Sequence, residues 1–274
     1  SGAANNFGAG TIVNNAALTF NQVSDGSFAS VISGTGSLTK LGAGTFAISG
    51  INTLTGPTTV TAGRLNVTGS LASSAVTVLS GASIGGTGTV GALTAQSRST
   101  VSPGNSIGTL SVNGSLTLAA GSTLAIEVSP TGADRVSATG AASIAGNLVV
   151  TPGAGPYTTF NQSYTLVSSS ARTGTFAAST LGNFGAAFAP TLVYDGTSVI
   201  LRLAPTSLVQ QSGTLSGNAL AVARSFDAAV LGGYNPQAFF NLYIQGANLS
   251  AALGQFLANC TAPSAGWRCK TRAS

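Results

Sequence analysis

Histidine and methionine are absent from the 274 residues, cysteine occurs twice, and charged residues make up 5% of the chain. Ordinary globular domains carry roughly 25% charged residues. Without histidine the usual general base, the Ser-His-Asp triads and most zinc sites are excluded. Without methionine there is no initiator, and the strand-like pattern is already running near Ser1. The chain therefore reads as a processed or excised segment with any signal peptide removed. No run of 18 apolar residues occurs, so no spanning helix is expected. The five acids, Asp25, Glu127, Asp134, Asp195 and Asp227, lie at least seven residues apart in sequence. The formal charge of +5 and the pI of about 9.7 owe much to Arg268, Lys270 and Arg272 at the C-terminus. No basic cluster precedes them, which excludes a phosphate-binding face and hence nucleic acid as partner.

Glycine, at 37 residues, and small polar residues occupy the space that charge vacates. The five glycines of "GASIGGTGTVG", residues 81–91, would each cost about 1 kcal/mol in a helix. Short strands fit instead. "SLTKLG" at 37–42, "GTFAIS" at 44–49, "GRLNVT" at 63–68, "AVTVLS" at 75–80 and "TLSVNGSLTLAAGSTLAIEV" at 109–128 alternate apolar with small or polar residues, with Gly, Asn or Ser between them. Gly-[small]-Leu recurs at Gly36, Gly69, Gly108 and Gly114. Loose repetition of strand and turn suits a stacked solenoid, with outward Ser, Thr and Asn forming ladders on its faces. A right-handed parallel β-helix is the expected fold, and a two-sheet sandwich is the alternative.

After Pro205 the period changes. Leu215, Ala219, Val222, Phe226 and Val230 form one helical face that stops at Gly232-Gly233. Asn235-Pro236 offers an N-cap followed by proline at N1 for a helix to Gly246. A third helix is expected from Asn248 to about Leu257.

"GTGSLTKLGAGTFAISGINTLTGPTTVTAGRLNV", residues 34–67, resembles the passenger-associated transport repeat of bacterial autotransporters, the type V secretion family. "VSPGNSIGTLSVNGSLTLAAGSTLAIEV" (101–128) and "GADRVSATGAASIAGNLVV" (132–150) are similar to the end of such passengers, where a β-helix carries an autochaperone region. Residues 213–257 resemble the linker before the outer-membrane barrel. The resemblance implies a β-helix stalk at 1–99, an autochaperone-like β-helix at 100–205 and a helical linker at 206–257. It implies a structural, non-enzymatic role at the Gram-negative cell surface or outside it, after export through the periplasm. The partner would be a translocator barrel, which "ANCTAPSAGWRCKTRAS" at 258–274 does not supply. An adhesin or self-association module, binding surface glycans or further copies, is the alternative.

No cofactor or metal ligand set is recognised. Glu127 and Asp134 are the best pair for glycoside chemistry, with a solubilising role at their Pro-Thr-Gly turn as the simpler reading. Gly86-x-Gly88-x-x-Gly91 has the form of a dinucleotide fingerprint but lacks the helix and acid that it requires. Lys40 could serve a nearby serine as base; the simpler reading is an outward lysine blunting a sheet edge or face. Cys260 and Cys269 enclose eight residues and either form a disulfide or remain free thiols. In "VSPGNSIGTL", residues 101–110, Pro103 fixes φ while Gly104 and Asn105 tolerate left-handed geometry, so the turn needs no ligand to explain it.

Overall fold

A computed structural model describes residues 5–6, 10–212, 215–245, 248–261 and 268–269. Contacts divide the chain into two units. The first comprises residues 1–155, 164–182 and 192–201; the second comprises 156–163, 183–191 and 202–274.

The first unit is a β-solenoid of about seven turns. From Ser70–Leu71 onward each coil visits three stacked sheets, as in Ser83–Gly86, Thr89–Val90 and Leu93–Ala95, before re-entering the first sheet at Thr100–Pro103. The cause is visible in the register of the eight-stranded sheet. Thr19, Thr39, Thr59, Thr77, Thr94, Thr117, Ser143 and Thr173 are successive Cα partners along its outer face. Their neighbours two residues apart form the inner columns Leu38, Thr58, Val76, Leu93, Leu116, Ala142 and Lys40, Val60, Val78, Ala95, Leu118, Ile144. Side chains alternate across a strand, so one outward ladder of hydroxyls fixes which residues line the core. The expected ladders and parallel stacking are present. An antiparallel hairpin joins Thr123–Ser129 and Gly132–Ala133.

One corner repeats a left-handed residue. Gly42, Gly63, Gly81 and Gly121 lie at φ between 65° and 81°, and Arg98 stands in the same series at φ 63°. Gly81 N–H donates to Arg98 O (3.0 Å) and Arg98 N–H to Gly121 O (2.8 Å), so backbone geometry binds Arg98 into the column. Its side chain is exposed and contributes no packing. Left-handed geometry costs an L-residue about 1–2 kcal/mol, part of which glycine returns through its freer unfolded chain. Arg98→Gly is therefore expected to raise stability by about 0.5–1 kcal/mol, measured as a higher urea midpoint with an unchanged slope.

Lys40 overturns the outward reading. It is 1% exposed, between Phe20 and Val60 in an inner column. Its Nζ donates to the carbonyls of Leu41 (2.9 Å), Gly42 (2.8 Å) and Ala62 (3.1 Å), which uses all three ammonium protons. Alternation gives the reason. Leu38 and Lys40 share the inward phase of Ser37–Leu41, and Leu41 is the residue out of phase. A lysine with every proton committed is no base for a serine.

Asparagines close another part of the solenoid interior. Asn52, 3% exposed, accepts from Ile32 N–H (2.7 Å) and donates to the carbonyls of Gly50 and Ser70 (2.9 Å each). One side chain thereby binds three successive coils.

The second unit is built around aromatic packing. Phe160 lies 5.3 Å from Phe188, 5.3 Å from Phe240 and 4.9 Å from Tyr243, centroid to centroid. Gln237 fixes the approach, its Oε1 accepting from Phe160 N–H (2.8 Å) and its Nε2 donating to Thr158 O (2.7 Å). Four helices follow, α1 Leu208–Ser212, α2 Gly217–Leu231, α3 Phe240–Tyr243 and α4 Leu249–Asn259. Val222 and Phe226 of the expected face are buried, and α2 stops at Gly232, as read from the sequence. Asp227 caps α1 by accepting from Leu208 N–H (2.8 Å) and Val209 N–H (3.1 Å). The second expected helix differs. Asn235 caps Pro236–Phe239, but that segment is a 3₁₀ turn, and α3 ends at Tyr243 rather than Gly246. No helix among the described residues is long and apolar enough to cross a membrane, which says nothing of a β-barrel.

Candidate functional site

The turn at 103–108 lines a recess of about 450 Å³ on the outer face of the ten-stranded sheet. Its floor follows from register. Ser102 and Ala125 line it from Thr100–Pro103 and Thr123–Ser129, and Gly85, the Cα partner of Ser102 on Ser83–Gly86, lies against the Arg64 guanidinium. Small residues there leave the sheet face open. Arg64, on Arg64–Val67, reaches along this floor and donates through Nη2 to Ser102 O (3.2 Å). A Cβ at Gly85 would overlap the Arg64 guanidinium and the Ser102 carbonyl, so glycine there is what admits the arginine.

Glu127 and Asp134 line the same recess. The structure brings the sequence-selected pair together and gives its members different duties. Asp134 is 3% exposed, which corrects its reading as a solubilising residue. Its Oδ1 accepts from Gly108 N–H (2.9 Å) and its Oδ2 from Glu127 N–H (2.9 Å). It thus ties the 103–108 turn to the hairpin that follows Thr123–Ser129. Burial raises its pKa, against those two hydrogen bonds and the nearby Arg64 charge, which lower it. The Glu127 carboxylate has no hydrogen bond or ion pair among the described residues, its backbone being paired with Asp134. In the turn itself Gly104 takes φ 77° and its N–H donates to Gly86 O (2.9 Å). Asn105 is not among the residues with positive φ, contrary to expectation.

Asp134→Asn tests the anchoring role. An amide can accept only at its oxygen, so one of the two N–H groups would face another donor. Stability is expected to fall by about 1–3 kcal/mol although a buried charge is removed. Amide exchange at Gly108 and Glu127 would accelerate first. A gain in stability would show that the charge, not the geometry, dominates.

Other selected residues fall apart from this recess. Gly86 ends the strand Ser83–Gly86, Gly88 precedes Thr89–Val90 and Gly91 follows it, with the strand Leu93–Ala95 and no helix next. Cys260 and Cys269 stand opposite each other in a two-stranded antiparallel pair; their side chains lie outside the described residues, as does Trp267. Lys40 and Asn52 were missed as interior polar residues. The phase of Leu38 was the available signal for Lys40, whereas nothing local distinguishes Asn52.

Residues 38–67 match the family model of the passenger-associated-transport-repeat. Over 121 residues the chain is 43% identical to an extracellular serine protease of Serratia marcescens, a stretch covering 44% of this chain and 12% of that protein. Over 81 residues it is 42% identical to the adhesin BmaC autotransporter of Brucella suis biovar 1 (strain 1330), covering 28% of this chain and 2% of the adhesin. The matches thus span a small fraction of either relative.

Proposed function

We propose that this chain, similar over part of its length to autotransporter passengers, is a passenger segment at the surface of a Gram-negative bacterium or outside it, a structural stalk whose coils at 100–205 template the folding of those upstream. The observation that carries this reading is the unbroken parallel register from Arg172–Gly174 back to Ala17–Asn21. Each coil presents a paired edge and an inner column on which the next coil closes, so order spreads by nearest-neighbour contact. The coils from Leu93–Ala95 onward are the longer ones. Thr94 and Thr117 are Cα partners 23 positions apart, whereas Thr77 and Thr94 are 17 apart. After Thr117 the longer coils also bury further apolar side chains, among them Ile126, Val128 and Val136, which suits the segment that orders first. Residues 206–257 would be the helical linker and a translocator barrel the partner in the intact protein. The segment itself is read as non-enzymatic, since Asp134 is committed to backbone donors. A disulfide between Cys260 and Cys269 is also proposed, supported by their cross-strand register and checked by alkylation with and without reductant.

Pulse-labelled amide exchange during refolding tests the template. Protection is expected at 100–205 before 10–99, and a chain lacking 100–205 should leave 1–99 open to protease. Earlier protection at 10–99, or an equally resistant 1–99, removes the templating role. A second reading, an adhesin or self-association module, is favoured by the charged recess.

A further inference from the structure

Three features stand outside the architecture just described. In the second unit Tyr243 OH, Gln211 Oε1 and Thr206 Oγ1 are buried without a hydrogen-bond partner, but Tyr243 is fully buried and its ring belongs to the Phe160 cluster. A recess of about 400 Å³ beside Asp227 is lined by a carboxylate already spent on capping α1. The recess over Gly85, Ser102 and Ala125 differs from both, because it holds charged groups with capacity to spare.

Arg64 has five N–H donors, of which Ser102 O takes one. Glu127 presents a carboxylate with no partner among the described residues. The two line one cavity without bonding each other. With Asp134 the recess carries one positive and two negative groups, so it repels a further anion. Its walls at Pro103, Asn105, Ser106 and Thr151 add hydroxyl, amide and backbone groups but no aromatic ring. The floor strands are each hydrogen-bonded on both sides, from Arg64–Val67 through Asn147–Pro152. A peptide strand would therefore find no free edge to extend, and no deep apolar pocket for its side chains. The surface suits a small ligand that carries donors and acceptors on adjacent carbons and one positive charge.

We infer that the recess between Arg64 and Glu127 is a binding subsite for an amino-bearing saccharide unit. Sugar hydroxyls accept from the free Arg64 N–H groups, and the ammonium donates to Glu127. The inference deepens the adhesin reading and is independent of the stalk; failure to bind sugar leaves the refolding experiment untouched.

The test is an amide-resonance titration of the full chain with the trisaccharide of unacetylated glucosamine. The fully N-acetylated trisaccharide, a galacturonate trisaccharide and tri-lysine run in parallel. Expected are shifts confined to residues near 64, 85, 102–108, 125–127 and 134. Glu127→Gln should weaken binding at least about tenfold, in line with loss of a charged hydrogen bond. That variant alters a side chain with no partner, so an unchanged melting temperature verifies its fold. Weaker binding of the acetylated sugar and none of the uronate complete the supporting result. Absence of shifts in the recess, binding unaffected by Glu127→Gln, or tri-lysine binding as tightly as the sugar would each overturn the assignment. The last would make the recess a site for cationic peptide.

Discussion

Lys40→Ala is expected to lower the stability of the N-terminal coils by about 3 kcal/mol. Two losses act together. The buried stem is removed from between Phe20 and Val60, and the carbonyls of Leu41, Gly42 and Ala62 lose the lysine protons. A core truncation of this size costs about 2–5 kcal/mol and each unsatisfied buried acceptor about 1–3. Against them stands the relief of a buried ammonium, which is costly even when fully hydrogen-bonded. The losses win because the truncated stem and two carbonyls, those of Gly42 and Ala62, are set against one charge removed, while Leu41 O keeps its bond from Gln22 N–H (2.9 Å). Lys40→Met keeps the stem, forfeits only the hydrogen bonds and should cost roughly half as much. In a solenoid the effect is local, so amide exchange across residues 37–67 is the suitable readout alongside the urea midpoint. A Lys40→Met variant more stable than the parent would show that desolvation outweighs the three carbonyls.

The same burial gives a pH dependence of known sign. Desolvation holds the Lys40 pKa below 10.5, partly offset by the charge of Asp25. The folded chain then releases the proton at a lower pH than the unfolded chain does. Between the two values the unfolded state binds more protons, so Lys40 contributes increasing stability as pH rises toward 10.5. Below the folded value its penalty is fully present. Subtracting the profile of Lys40→Met isolates this slope.

Lys40 also shows what the sequence made legible. Alternation over five residues established the strand Ser37–Leu41, and the Thr39 ladder follows from repeating that strand coil after coil. The phase was harder, because Leu38 and Leu41 cannot both point inward, and charge favoured the wrong choice. A lysine is accommodated inside only because the following corner turns three carbonyls toward it, two of them flanking Gly42. That information lies in backbone direction, not in residue type. The recess was half legible for the same reason. Glu127 and Asp134 were selected as a pair, but Arg64, 63 positions before Glu127, joins them through coil stacking alone. Gly85 then matters as the missing side chain that gives Arg64 its path. Nor did the pattern from Pro236 onward show that Phe239 and Phe240 divide a 3₁₀ turn from a short helix. There the aromatic cluster around Phe160 decides the backbone, and intrinsic propensity gives way to packing.

Asn52→Ala should be nearly as damaging as the loss of Lys40 and more informative about the stalk. Its Oδ1 serves Ile32 N–H in the preceding coil, while its Nδ2 serves Gly50 O and Ser70 O in its own and the next. Alanine leaves Ile32 N–H without its acceptor, while Gly50 O keeps its bond from Ser70 N–H (3.0 Å) and Ser70 O keeps the residue-52 N–H (2.9 Å). One buried N–H left unpaired costs about 1–3 kcal/mol and two carbonyls each lose a second bond, so a loss of roughly 2–3 kcal/mol is expected. Asn52→Asp separates geometry from size. The carboxylate can still accept from Ile32, but it places negative charge against the carbonyls of Gly50 and Ser70. At neutral pH it should therefore be at least as unstable as alanine. Its pKa would be raised in the folded state, and protonation would restore a donor, so the variant should recover stability on acidification where Asn52→Ala does not. Equal behaviour of the two variants with pH would show that the amide fills space and does not clamp the coils. If the recovery is seen, nearest-neighbour coupling between coils in the matched repeat, residues 38–67, depends on a single interior amide. Protease resistance of the upstream coils should then fall with Asn52→Ala even when 100–205 remains folded.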